Sequence, residues 1–334
     1  MNLPERYNAL VVRIDDNGDA QRVIEEVGLD FLPENDVLVH VHHAALNYKD
    51  ALSASGHRGV TRNYPHTPGV DAAGVVVQDN SGKWSAGDKV ICTSFDLGMN
   101  TPGGFAEYIR VPAHWLVPLP EAFDFEESMV LGTAAYTAAL ALWKMERSGQ
   151  HPDMGPVVVT GATGGVGSMA VALLAKAGYE VHAVTGKEDQ HDYLRSLGAT
   201  KILDRSAVND ESGRPLLRSQ WAGAIDNVGG NTLATLLKAC GRNGNVATIG
   251  LVASADLNIT VYPFILNGVN LLGVDSAETP LEVRHEIWRR LANEWRLTID
   301  DAMVERINLS DVPAAMDRIL KGETVGRVIW NGKR

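Results

Sequence analysis

The chain has 334 residues, 45% hydrophobic and 21% charged, with 30 basic against 41 acidic residues and a formal net charge of −11. That length suggests two or three domains, the composition excludes wholesale disorder, and the negative balance argues against general binding to nucleic acid or to anionic membrane. Two cysteines, Cys92 and Cys240, exclude a disulfide framework and a zinc site built on clustered thiolates, and they fit a cytoplasmic location.

In residues 1–12, Glu5 and Arg6 split any apolar core that a secretory leader needs, so none is expected. From residue 7 to about 118, short apolar runs alternate with turn signals. The runs include Val37–Val41, Ala73–Val77, Lys89–Cys92 and Tyr108–Val111, and the turns fall at 79–82, 86–88 and 102–104. Short strands spaced in this way predict a β-rich domain. The weakly polar run Met129–Trp143 is shorter than the roughly 20 residues that span a bilayer, and predicts a buried helix.

From about 155 the texture changes. Val157–Val159 is an uninterrupted apolar run of the kind buried in a parallel sheet. Val166, Ala170, Leu173 and Ala177 then share one helical face, and Gly178 stops the helix. Further strands are predicted at 181–184, 201–203, 222–226, 245–249 and 271–274, with a helix over 188–197 closed by Gly198. Strands alternating with helices predict a doubly wound parallel sheet. An amphipathic helix over 281–297 carries Val283, Ile287, Leu291 and Trp295, and a last strand covers 326–330. The pattern alone leaves open which sheet that strand joins.

The segment Thr160-Gly161-Ala162-Thr163-Gly164-Gly165-Val166-Gly167 sits between a predicted strand and a predicted helix, the setting of a dinucleotide-binding turn. Glycine lets main chain approach a pyrophosphate, and a helix N-terminus offers unpaired N–H groups and a positive dipole end. Gly167 is expected to let the helix pack closely on the strand. Aligned on Gly164 and Gly167, Ala162 replaces the first glycine of G-x-G-x-x-G, and Ser168 stands where a Walker loop needs lysine. A plain tight turn is the competing reading, which the flanking βαβ pattern disfavours. The second strand ends Val184-Thr185-Gly186-Lys187, without the carboxylate that binds the ribose of NAD. A hydroxyl and an ammonium suit a 2′-phosphate instead, so Thr185, Gly186, Lys187 and Arg205 are expected to select NADPH. A solvated surface role for Lys187 is the alternative.

In this order of domains the chain resembles the medium-chain dehydrogenase/reductase family. The residues that carry the resemblance are Asn47–Asp50, Pro68–Gly74, Gly87–Val90, Gly104–Tyr108 and the Gly164–Gly167 turn. The resemblance implies an α/β fold: a β-rich GroES-like catalytic domain, its N-terminal part over residues 1–125, plus a Rossmann doubly wound parallel-sheet domain over 126–280. Residues 281–334 then return to the catalytic domain. Zinc alcohol dehydrogenases of this family carry Cys where this chain has Asn47, and Gly-His-Glu where it has Gly69-Val70-Asp71. His40 and His42 share a strand face but lack a third ligand type, so no metal is expected.

Within the zinc-free branch the chain is similar to the acryloyl-CoA reductases, once grouped with quinone oxidoreductases, through Leu46–Leu52, Leu194–Ala199, Trp221–Asp226, Pro263–Leu266 and Gly273–Ser276. That similarity implies NADPH-dependent reduction of the C=C bond of acryloyl-CoA to propanoyl-CoA. It also implies cofactor contacts from Tyr48, Leu251, Ile265, Ser276 and Arg327 beside Gly164, Gly165, Val166 and Gly167, and homodimers joined through the nucleotide sheets. Hydride addition to the β-carbon builds charge on the thioester oxygen, and a proton must reach the α-carbon, so catalysis needs positioning, hydrogen bonds and a proton donor. Tyr48 is the expected donor, or else only packs on the nicotinamide, with Asn47 and Asp50 to orient it. Lys49, Arg58 and Arg62, with His57 and His66 interleaved, form a basic stretch for the CoA phosphates of an acyl-CoA thioester, or an ordinary solvated loop. The rival functions are NADPH:quinone or enone reduction, and a non-catalytic NADPH-binding sensor or structural protein.

Overall fold

A computed structural model describes residues 3–332. It divides into two units. One holds the described residues up to Thr133, Ala277–His285 and those from Ile299 on; the other holds Ala134–Ser276 and Glu286–Thr298.

The first unit is β-rich, as its regular turn signals predict. Arg6–Ile14 pairs with Ala20–Gly28 as a separate antiparallel hairpin. A seven-stranded sheet runs in the order Val304–Ile307, Arg327–Asn331, Val37–Leu46, Asp71–Asp79, Lys89–Thr93, Leu116–Pro118, with Tyr108–Val111 also pairing to Val37–Leu46. Most of its pairs are antiparallel; Val304–Ile307 and Arg327–Asn331 run parallel. Val37–Leu46 lies in the middle, and its near-continuous apolar sequence follows from burial on both faces. The core it anchors includes Leu10, Val39, Phe105, Ile109, Val312 and Trp330. The C-terminal strand, whose sheet the apolar pattern leaves open, is antiparallel to Val37–Leu46, with Val328 opposite Leu46.

The second unit is a six-stranded, all-parallel sheet in the order Lys201–Leu203, Val181–Val184, Val157–Val159, Trp221–Asp226, Cys240–Thr248, Asn270–Gly273. Numbered along the chain within this unit, that order is 3-2-1-4-5-6, the doubly wound arrangement. Val157, Val158 and Val159 are fully buried, as an apolar run in a central parallel strand must be. The order reverses between Val157–Val159 and Trp221–Asp226. Ligands of such sheets bind outside the carboxyl ends of the strands at that point.

Three helices differ from expectation. The buried run Met129–Trp143 lies within Phe125–Arg147, but Gly132 breaks it with φ 46 and ψ −153. The helix expected over 188–197 is a 3₁₀ turn, Glu188–Gln190, followed by Leu194-containing His191–Ser196. The helix expected over 281–297 ends at Ala292, because Asn293 Nδ2 donates to Arg289 O at 2.8 Å and competes with the main-chain ladder. Among the described residues no helix is long and apolar enough to cross a membrane.

Candidate functional site

In the second unit the turn after Val157–Val159 is built almost wholly from main chain. Gly161 takes φ 58, and Gly164 N donates back to Gly161 O at 3.0 Å. Gly164 then caps the helix Gly165–Lys176 without a side-chain hydrogen bond, and its first turn holds no acidic residue. The N–H groups of Gly165, Val166 and Gly167 and the positive end of the helix dipole are therefore left for an anion. A Cβ on Gly167 would lie 2.1 Å from Gly161 O and 2.8 Å from Ala162 Cα, so this glycine seats the helix on the turn itself rather than on the strand. Side chains stitch the adjoining switch point. Thr160 Oγ1 donates to Asp226 Oδ1 at 2.6 Å and accepts from Asn227 N at 3.0 Å, while Asp226 Oδ2 accepts from Gly229 N at 2.8 Å. Burial pushes the Asp226 carboxyl up, against the pull of those bonds.

At the tip of the second strand, Thr185 is buried and its Oγ1 accepts from Lys187 N at 3.0 Å. A Cβ on Gly186 would meet Arg205 Nε at 2.8 Å, so the Arg205 guanidinium lies directly over Gly186. Thr185, Gly186, Lys187 and Arg205 are thus brought to one place. The nearest acid on the following strand end, Asp204, is committed to Ser206 N at 2.9 Å and Ser206 Oγ at 2.6 Å. Of the remaining expected cofactor contacts, Leu251, Ile265 and Ser276 are scattered within this unit, whereas Tyr48 and Arg327 belong to the first. Leu251 and Ser276 follow the carboxyl ends of their strands, whereas Ile265 sits on the helix Tyr262–Asn267 that leads into the last strand.

In the first unit a second constellation is made of side chains. Asn47 caps the helix Tyr48–Ala54, and its N–H donates to Asp50 Oδ2 at 2.7 Å. The other Asp50 oxygen accepts from Gly69 N at 3.1 Å and Val70 N at 2.8 Å. Asp50 is fully buried, and burial pushes its carboxyl up to about 7 despite these three N–H donors. Asn47 Nδ2 donates to Asp71 Oδ2 at 2.8 Å. Asp71, also fully buried, accepts from Thr133 N at 2.9 Å and Thr133 Oγ1 at 2.5 Å, with Arg327 Nη2 3.6 Å away. Burial raises Asp71 and Arg327 opposes it. Arg327 donates in turn to Val130 O at 3.0 Å, Asn47 Oδ1 at 3.2 Å and Leu46 O at 3.4 Å.

The break at Gly132 is what makes this possible. It frees Thr133 N–H and Val130 C=O from the helical ladder and turns them toward the Asp71–Arg327 pair. A Cβ on Gly132 would meet Asp71 Oδ2 at 2.5 Å and Arg327 Nη2 at 3.0 Å.

Tyr48, 46% exposed, stands at the first helical position, and its phenol makes no hydrogen bond to another described residue. Lys49, Arg58 and Arg62 are exposed and form no ion pair among the described residues. His57 is exposed as well, its Nδ1 accepting from Gly59 N at 3.2 Å. His66 is a correction to the basic stretch. It is 2% exposed, its main chain pairs both ways with Val12, and burial disfavours its charged form. His40 and His42 stack on Tyr108 and Phe125, and no three His, Cys, Asp or Glu of the described residues gather to hold a metal. Sequence reasoning noted Asp71 only as the counterpart of the zinc enzymes' Glu and did not single out Thr133; the available signal for Asp71 was a carboxylate opening the apolar run Asp71–Val77. Both cysteines are buried free thiols, pushed up to about 12 by burial.

Comparison with known proteins follows the same two-part layout. The model of the alcohol dehydrogenase GroES-like domain matches residues 33–121, and that of the zinc-binding dehydrogenase matches 165–293. The chain is 44% identical over 324 residues to "Acrylyl-CoA reductase AcuI" of Ruegeria pomeroyi, covering 97% of this chain and 98% of that one. The yhdH oxidoreductase from Salmonella enterica in complex with NADP superposes with a TM-score of 0.93 at 42% identity, covering 98% of this chain and all of the other. Bacillus subtilis yhfP with NAD bound superposes with a TM-score of 0.94 at 41% identity, covering 98% of this chain and 100% of that one. With relatives this similar over nearly its whole length, the chain belongs to the medium-chain dehydrogenase/reductase family of oxidoreductases.

Proposed function

We propose that the protein reduces the C=C bond of acryloyl-CoA to propanoyl-CoA with NADPH. The observation that carries the reading is the uncapped, acid-free helix start at Gly164–Gly167, placed at the switch point of a 3-2-1-4-5-6 sheet. The substrate comes from the relative named acrylyl-CoA reductase, 44% identical along nearly the entire chain. NADPH, when bound, supplies the hydride for the β-carbon.

The protein's own residues do the rest. Main-chain N–H groups of Gly165, Val166 and Gly167 hold the pyrophosphate, while Thr185, Lys187 and Arg205 hold the 2′-phosphate. Tyr48 offers a phenol to the oxygen on which enolate charge develops, from a helix start fixed by Asn47 and Asp50. Lys49, Arg58 and Arg62 offer three uncommitted cations to the CoA phosphates. No Lewis acid is called for. Asn47 Oδ1 and Asp71 Oδ2 both face the Arg327 guanidinium, and a zinc ion brought to those oxygens would meet a fixed positive charge.

Exposed Val261, Ile265 and Leu266, beside the edge strand Asn270–Gly273, favour a homodimer that continues the nucleotide sheet. Two free, buried cysteines suit the reducing cytoplasm.

The test is NADPH oxidation with acryloyl-CoA, crotonoyl-CoA and a simple quinone side by side. Turnover of acryloyl-CoA is expected to dominate. Quinone turnover alone would replace the substrate assignment, and NADPH binding without any oxidation would make the protein a sensor. Tyr48→Phe is expected to lower kcat with NADPH affinity unchanged, and full kcat in that variant would remove the phenol from the donor role.

A further inference from the structure

Ser94 and Phe95 have φ of 64° and 52°, in the region where an L side chain crowds the following carbonyl. Both are nearly buried, and the turn is held from several sides. Ser94 N donates to Val70 O at 2.7 Å. The Phe95 ring stacks on Trp115 at 5.3 Å, and the Arg284 guanidinium lies 4.3 Å from the centre of that ring. Arg284 Nη1 is itself fixed on Thr93 O and Thr93 Oγ1, both at 3.0 Å. Glycine would adopt this backbone without strain. What serine adds is a hydroxyl, and its Oγ lies 3.0 Å from Thr133 Oγ1.

The direction of that bond follows from the next one. Thr133 Oγ1 has a single proton, which it donates to Asp71 Oδ1 at 2.5 Å, so the Ser94 hydroxyl donates to Thr133. Three oxygens form a directed chain ending on the carboxylate that also holds Asn47, and Asn47 caps the helix that begins with Tyr48. Bonds in such a chain polarise and strengthen one another.

We propose that Ser94 is a positioning residue that, through the Thr133 hydroxyl, fixes the ionised form and orientation of Asp71 and so the Asn47 cap beneath Tyr48. The proposal rests on the reductase reading for its kinetic consequences but not for its electrostatic ones. The charged and titratable groups facing Asp71 are Arg327, Asp50 and the Cys92 thiol. Without the Ser94 hydroxyl, the Thr133 bond to the carboxylate weakens and Asp71 takes up a proton at higher pH.

Ser94→Gly separates this role from a structural one, because the two move in opposite directions. Released backbone strain keeps the melting temperature at or above that of the parent. The kcat for acryloyl-CoA is expected to fall about tenfold with the KM for NADPH unchanged, the effect of losing one hydrogen bond in a charged network. The acid limb of kcat against pH is expected to move to higher pH. Thr133→Val is expected to lose more, and Thr133→Ser to restore what Thr133→Val loses. Parent kcat and pH profile in Ser94→Gly would overturn the proposal, as would a kcat loss matched by a fall in melting temperature. The Asp71 carboxyl is titrated in parallel by carbon NMR in the parent and in Ser94→Gly. If the parent turns over neither acryloyl-CoA nor quinone, the functional reading fails alone. An upward shift of that titration still supports the proposal, and an unchanged titration refutes it.

Discussion

Around residues 161–167 the polar groups that face an anion belong to the main chain, and at Gly167 a side chain would be in the way. Around Asp71 they belong to side chains and backbone atoms drawn from far apart in the sequence, every one buried or half-buried. The first arrangement presents partial charges to solvent, where an anion can meet them. The second buries full charges of both signs and completes their partners from within, leaving Tyr48 at its margin. The contrast teaches where each region is vulnerable. A main-chain site fails when something is added to it, a side-chain network when something is removed.

The largest expected effect is therefore a deletion in the network. Arg327→Met leaves Asp71 buried without its cation and is expected to cost about 3–5 kcal/mol in urea unfolding. A loss below about 1 kcal/mol would erase the distinction between the regions. Next comes an addition to the turn. Gly167→Ala places a methyl against Gly161 O, and calorimetry is expected to show NADPH affinity reduced on the order of 100-fold. Undiminished binding would mean that the helix start is not the pyrophosphate site. A smaller change sharpens the cofactor choice. Lys187→Ala combined with Arg205→Ala is expected to weaken NADPH about tenfold and leave NADH almost untouched. Equal losses for both would take the 2′-phosphate away from this pair.

The smallest effect is in the pH dependence of stability, where two buried groups of the first unit act with opposite sign. Burial raises Asp50 to about 7, above its value in the unfolded chain. Its contribution is complete below the unfolded value and is lost as pH rises through 7. Burial lowers His66, so its contribution is complete above the unfolded imidazole value and is lost as pH falls through the folded one. His66→Gln is expected to flatten the acid side of a chemical-denaturation profile and leave the neutral side alone. A profile unaltered on both sides would show that His66 binds its proton equally well in the folded and unfolded chain.

These regions also differ in how legible they were. Glycine spacing is local, so the turn, the helix after it and the absence of an acid at Thr185–Lys187 could be read directly. The Asp71 network could not. Asn47 and Asp71 are 24 residues apart, Thr133 and Asp71 are 62, and Arg327 and Asn47 are 280, separations that leave no periodic trace. Met129–Trp143 was readable as a buried helix, but a glycine inside an apolar run does not announce a break; only the crowding of Gly132 by Asp71 and Arg327 explains it. His66 looked basic beside Arg58 and Arg62 because charge type carries no mark of burial. Its paired main chain against Val12 takes it inside. Asn47 and Asp50 stood out by resemblance, and their geometry shows a helix cap, a role visible in residue type once the helix start is known.

The two thiols carry a last consequence. A conjugated thioester such as acryloyl-CoA is an electrophile that alkylates exposed thiolates. A catalyst that meets it at every turnover would be inactivated by its own substrate if it displayed a reactive sulfur. Cys92 and Cys240 are shut away from solvent and held protonated by their surroundings up to about pH 12. On the reading proposed above, the fold thereby keeps both sulfurs away from a substrate that alkylates thiolates.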